Sequence, residues 1–281
     1  MADKMDLYTE TCFGCSKVIT QQYSTSFSRG IRAFDRRYRD AIYGIYGFVR
    51  YADEIVDTFH EHDKAALIAG FRKETFAAIE QGISLNPVLH SFQYVVNRYG
   101  LDTGLINAFL RSMEMDLDKT TFDTTEYKDY IYGSAEVVGL MCLHVFCGKD
   151  KALYQQLLPQ ARSLGAAFQK VNFLRDVKAD MEDRGRTYFP NVDFNNFTHR
   201  DKQQIEADIK LDFDNALAGI RQLPKGTRLG VYVAYVYYRQ LFKQIKQTEP
   251  ATILQKRIRV SGTHKAALYF KALLKQKLNA I

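Results

Sequence analysis

The chain contains no tryptophan and only five prolines in 281 residues, at positions 87, 159, 190, 224 and 250. So few breakers leave long segments free to show helical periodicity. No internal linker, low-complexity tract or repeat is present. Cysteine is scarce too, at Cys12, Cys15, Cys142 and Cys147. Cys12 and Cys15 form a CxxC, but no second CxxC and no Cys/His cluster accompanies it, which disfavours structural zinc. Free thiols in a reducing compartment are the expectation. The opening MADKMDLYTETCFGC lacks an apolar signal core, and no uncharged apolar run reaches about 18 residues. A cytoplasmic location is the expectation, with neither secretion nor a membrane span expected. A glycine-rich dinucleotide loop is also missing.

Hydrophobic residues make up 46% and charged residues 25%, ordinary values for a soluble globular chain. The 18 tyrosines and 19 phenylalanines can fill a core or line an apolar cavity. Net charge is +7 and uneven: from Lys243 onward there are nine Lys or Arg and one acid, Glu249. Such an end can be a solvated helix face, touch anionic lipid or help hold a polyanionic ligand. No nucleic-acid module accompanies it, so nucleic acid is not an expected partner.

Periodicity predicts helices over 38–58, 64–80, 88–99, 103–115, 126–147, 151–184, 200–221, 226–246 and about 262–280. The 126–147 run is apolar and glycine-punctuated, which places it centrally. A bend is expected near Pro159 or Gly165. GVYVAYVYY, inside 226–246, has strand-like composition, but its length and lack of alternation favour helix. The sum is one all-α domain covering 1–281.

Two aspartate pairs stand out, Asp53/Asp57 in YADEIVD and Asp176/Asp180 in NFLRDVKAD. Residues i and i+4 share a helix face. Like charges so placed repel, and divalent cations would relieve that cost. Asn172 extends the second pair to an i, i+4, i+8 ladder, with Gln169 nearby, Arg175 adjacent and Arg50 one turn before Asp53. Two such faces brought together would hold several Mg2+ ions and, through them, a diphosphate. Metal ions and arginines neutralise a departing diphosphate, while apolar aromatic helices shield the carbocation left behind.

Four phrases carry a resemblance: YSTSFS (23–28), YGFVRYADEIVD (46–57), YIYGSAEVVG (130–139) and AFQKVNFLRDVKADMEDRGRTYFP (167–190). In them the chain resembles the squalene/phytoene synthase family over nearly its full length, above all its bacterial phytoene-forming members. The resemblance implies a single-domain isoprenoid synthase-type helical bundle around a central apolar cavity. It implies Mg2+, with Mn2+ as a substitute, bound by Asp53, Asp57, Asn172, Asp176 and Asp180. Arg50, Gln169, Arg175 and Ser24 would contact diphosphate, with Tyr132, Tyr237 and Arg257 as further diphosphate-side groups. Arg186 and Tyr188 would close the site, and Phe27 would cover the reacting centre. Catalytic roles fall to the four aspartates, Arg50 and Tyr132.

The implied reaction joins two geranylgeranyl diphosphates head to head, through prephytoene diphosphate, to phytoene, with no NADPH expected. Dehydrosqualene or squalene synthesis from two farnesyl diphosphates is the alternative. The implied partners are prenyl diphosphates, the cytoplasmic membrane's inner face as a peripheral contact, and downstream carotenoid enzymes. A non-catalytic helical scaffold would leave the repeated carboxylate faces unexplained. A chain-elongating synthase would normally carry the denser DDxxD in place of DEIVD.

Overall fold

Side-chain caps mark most helix starts. Asp63 accepts from the Ala66 N–H, Asn86 from Val88 and Leu89 just ahead of Pro87, and Asp102 from Gly104. Asp123 and Thr198 each complete a capping box. In the computed structural model, residues 4–183 and 185–278 are described. Their helices run in the order α1 Lys4–Tyr23, α2 Thr25–Arg32, α3 Arg36–Thr58, α4 Lys64–Gln81, α5 Pro87–Tyr99, α6 Thr103–Asp118, α7 Thr124–Ile131, α8 Val137–Cys147, α9 Lys151–Glu182, α10 His199–Ile220, α11 Lys225–Lys246, α12 Pro250–Ile253 and α13 Gly262–Lys277. No β-strand occurs among the described residues. One isolated parallel bridge joins Thr121 to Thr187. The all-α expectation holds, including the strand-like 226–246 run, which is α11.

Two local expectations change. First, α1 and α2 are helices that periodicity missed. The residues that α1 buries are small or polar, Cys12, Ser16 and Thr20, so its sequence carries little apolar contrast. Ser16 answers its burial by bonding Ser91 at 2.7 Å. Second, 126–147 is not one regular helix: a π-helical turn, Tyr132–Glu136, separates α7 from α8. The turn packs against α6, where a Cβ on Gly133 would lie 2.6 Å from the Ala108 carbonyl oxygen. Helix α9 runs as one element through Pro159 and Gly165. The helix ends expected at 184 and 280 lie outside the described residues.

Two apolar clusters form the core. One centres on α3, α5, α6 and α8, where the Phe48 ring stacks on Phe92 at 3.8 Å. Phe48 has no exposed surface, a burial that contributes roughly 1.5–3 kcal/mol. The other joins α9, α10 and α11 around Phe173, Phe213 and Val233. A cavity of about 690 Å3 opens between them and takes its wall from both, Ile45 and Phe146 on one side and Phe173 and Ile220 on the other. By length and composition Thr124–Cys147 could cross a bilayer, but half of its apolar window is buried in this core.

Candidate active site

Helix spacing puts both aspartate pairs on the wall of this one cavity: Asp53 and Asp57 from α3, Asp176 and Asp180 from α9, with Asn172 one turn earlier. Asp116, at the end of α6, joins them. The Asp53 carboxyl is pushed up to about 7 by burial, then by the neighbouring charge of Asp57, against the pull of Arg50. Asp116 adds to that push. Tyr188 lies near both Asp116 and Asp180. Its hydroxyl is held protonated by burial first, then by Asp116 and Asp180 together.

Arginines interleave with the carboxylates. Arg50 pairs with Glu54 and stands 3.9 Å from Asp53, its guanidinium over the Tyr23 ring at 4.3 Å. Asp176 is held by Arg175, and by Arg257 at 2.8 Å. Arg186 reaches Asp116 at 3.1 Å and Asp57 at 3.9 Å, while its backbone N–H donates to the Asp180 carbonyl at 2.7 Å. The chain path makes this reach possible: Thr187 donates to the Thr120 carbonyl, pinning the segment beside the end of α6. Two further cations lie next to this set, Arg29 and Lys265. Burial lowers the Lys265 pKa, and Arg29 and Arg175 lower it further. One buried guanidinium nitrogen of Arg29 has no acceptor among the described residues. Carboxylates match these cations in number, so a polyanion would need bound metal ions as well as the arginines.

Aromatic faces continue the wall. Phe27 lies between Tyr46 and Phe168, at 5.7 and 6.4 Å between ring centroids. Ser24 caps α2 and accepts from the Phe27 N–H at 3.2 Å. Tyr238 stacks on Phe168 at 3.9 Å and donates to Asn172 at 3.2 Å. Phe173 stacks on Tyr188 at 4.0 Å. Gln169 donates to Ser134 at 3.2 Å. Most of the rest of the wall is apolar, including Phe34, Leu143, Leu157 and Leu223, with Cys142, whose thiol burial pushes up to about 12. All four cysteines are free.

Two residues named from the resemblance stand elsewhere. Tyr132 is not on the cavity wall; its ring lies under the Arg162 guanidinium at 5.1 Å, packed on the first core cluster. Tyr130, two residues earlier, is on the wall. Tyr237 is buried beside Arg29, off the wall, and its neighbour Tyr238 takes the cavity position. One residue turns a helix by about 100°, so adjacent tyrosines cannot share a face.

Among the described residues no three His, Cys, Asp or Glu side chains form a closed metal cage. Mg2+ does not need one: it usually takes one or two carboxylates and completes its shell with water and phosphate oxygens. Paired aspartates in an open cavity could hold it in that mode, and a cation would relieve the Asp57 repulsion that adds to burial in raising Asp53.

The family model for squalene/phytoene synthase matches residues 20–264. The chain belongs to the squalene/phytoene synthase family. Within that family it is 29% identical over 275 residues to a phytoene synthase of Arthrospira platensis, covering 88% of this chain and 86% of that one. It is 27% identical over 261 residues to a 15-cis-phytoene synthase of Synechocystis, covering 84% and 77%. Among solved structures, a dehydrosqualene synthase in complex with ligand superposes with a TM-score of 0.82 over 98% of this chain and all of that one, at 20% identity. That likeness establishes the isoprenoid-synthase fold.

Proposed function

We propose that the chain condenses two geranylgeranyl diphosphates head to head, through prephytoene diphosphate, to phytoene and diphosphate. One observation carries this reading: both carboxylate faces and their arginines open onto a single cavity whose remaining wall is apolar and aromatic. The phytoene synthases of similar sequence favour the C20 substrate over farnesyl diphosphate. Mg2+, held by Asp53, Asp57, Asn172, Asp176 and Asp180, would supply charge neutralisation for the leaving diphosphate.

The side chains divide the work. Arg50, Arg175 and Arg257, with Arg29 and Lys265 behind them, hold the diphosphates and lower the energy of the charge that develops as each departs. Loss of the first diphosphate leaves an allylic cation, which the C2–C3 double bond of the second substrate attacks. A proton leaves and a cyclopropylcarbinyl diphosphate forms. A second ionisation, ring opening and a final proton loss give the hydrocarbon, with no reductant consumed. Phe27, Phe168, Phe173, Tyr188 and Tyr238 line the cavity around the reacting chain, stabilising cations and excluding water. Tyr130 and Arg186 hold Asp116 in place between the two carboxylate faces.

Product analysis tests the proposal. Purified protein with Mg2+ is supplied with geranylgeranyl or farnesyl diphosphate, with and without NADPH. A C40 hydrocarbon formed without NADPH is expected. A C30 hydrocarbon would move the assignment to dehydrosqualene synthesis, or to squalene synthesis if NADPH is required.

A further inference from the structure

Helix α13 contains no acidic residue, and the outward stripe of its last turns is apolar. Phe270, Leu274 and Leu278 recur every fourth residue and are 64%, 61% and 77% exposed. At that spacing they share one face. Lys271 and Lys275 lie one position further round the helix. These two lysines also line a second cleft, of about 570 Å3, together with Lys210, Arg239, Lys243 and Lys246. Among the described residues no Asp or Glu lines it. Asp214 pairs with Lys210 at 2.6 Å and lies 3.7 Å from Arg239. The other four lysines cluster over aromatic floor: Lys246 stands 5.7 Å from the Phe242 ring centroid and Lys275 5.9 Å from that of Tyr232.

We propose that this face docks on a bilayer containing anionic phospholipid. The Phe270–Leu274–Leu278 stripe enters the boundary between headgroups and acyl chains, and the lysine cleft takes lipid phosphates. The two features together select this occupant. An amphipathic helix with lysines beside an apolar stripe is built for an interface. A second copy of the chain would bring the same cations face to face. A nucleic acid or an acidic peptide would match the cleft and leave the stripe exposed. The opposite end of the same helix carries Lys265, beside Arg29 and Arg175 of the catalytic cavity. Helix α13 thus joins the proposed lipid face to the cavity, and the proposal stands apart from the identity of the substrate.

Co-sedimentation of the full chain with vesicles tests it. Binding to phosphatidylcholine vesicles containing phosphatidylglycerol, with little binding to phosphatidylcholine alone, is expected. High salt should release the protein. Lys271→Glu with Lys275→Glu should weaken binding at least about tenfold, and Phe270→Ser with Leu274→Ser should weaken it as well. An unchanged melting temperature and unchanged turnover in detergent would show that the variants fold. Lys243→Glu with Lys246→Glu provides a second charge variant, away from α13. Equal binding to both vesicle types, or binding untouched by all three variants, would overturn the proposal. So would tighter binding of duplex DNA or polyglutamate than of vesicles through the same lysines.

Discussion

The Tyr130 hydroxyl donates to the Asp116 carboxylate, 2.9 Å from one oxygen and 2.8 Å from the other, with both side chains buried. Arg186 holds the same carboxylate from the opposite chain segment. The contact ties α7 to the end of α6 and sets Asp116 among the cavity carboxylates. Removing Tyr130 or Asp116 should therefore have unequal effects. Tyr130→Phe removes one bond to a charged group and should cost about 1.5–3 kcal/mol of stability. Asp116→Ala leaves the buried Arg186 guanidinium short of its anion and should cost about 3–5 kcal/mol. Urea denaturation gives both numbers, and the reverse order would refute this account of the contact.

Asp53→Ala and Asp180→Ala should retain helical circular dichroism and lose most turnover. A rate within about tenfold of the unaltered enzyme, roughly 1.4 kcal/mol of barrier, would remove these carboxylates from the reaction. Chelation with EDTA should silence the enzyme, and added Mg2+ or Mn2+ should restore it.

Gly165→Ala tests the close approach of α9 to the π turn. The new Cβ would sit 2.7 Å from the Ala135 carbonyl oxygen and 2.9 Å from the Glu136 Cα. Backbone cannot rotate away as a side chain can. A loss of about 1–3 kcal/mol is expected, read as a lower denaturant midpoint. Because Gly165 and Ala135 also line the cavity, product length in this variant would report how far the wall moves.

His90 gives the fold an acid limit. Its Nδ1 accepts from the Ser84 N–H at 3.3 Å, which leaves Nε2–H to donate to Thr9 at 3.0 Å. Burial lowers its pKa below the ordinary 6.5. Protonation would break the Ser84 bond and place a charge in the core. The stabilisation from neutral His90 is complete above pH 6.5 and is lost as pH falls through the depressed folded value. Denaturant midpoints across that window should drop with acid, and His90→Gln should flatten the dependence.

The sequence made some of this site readable and hid the rest. Asp53/Asp57 and Asp176/Asp180 were legible because repulsive i, i+4 spacing within apolar helices carries its own signal. Asp116 gave none: it has no spaced partner, and its contact with Arg186 spans 70 residues of chain. Arg29 and Lys265 were hidden for the same reason, since each meets the cavity cations only through tertiary packing. Tyr237 and Tyr238 show the angular limit of motif matching. A run such as YVYY offers several tyrosines, and only the helix phase decides which one faces the ligand. The π turn was invisible because it follows from the packing of Gly133 on α6 and not from a local preference.

That turn has a consequence for how the cavity can change. A π turn holds one residue more than a regular helix would, so it fixes the rotational phase of α8 relative to α7. Converting Tyr132–Glu136 to regular helix at unchanged length would swing α8 by about 100°. Val138, Cys142, Leu143 and Phe146, all wall residues, would leave the cavity together. Substitutions in α8 reshape the wall one side chain at a time, whereas loss of the π turn would exchange the whole panel at once.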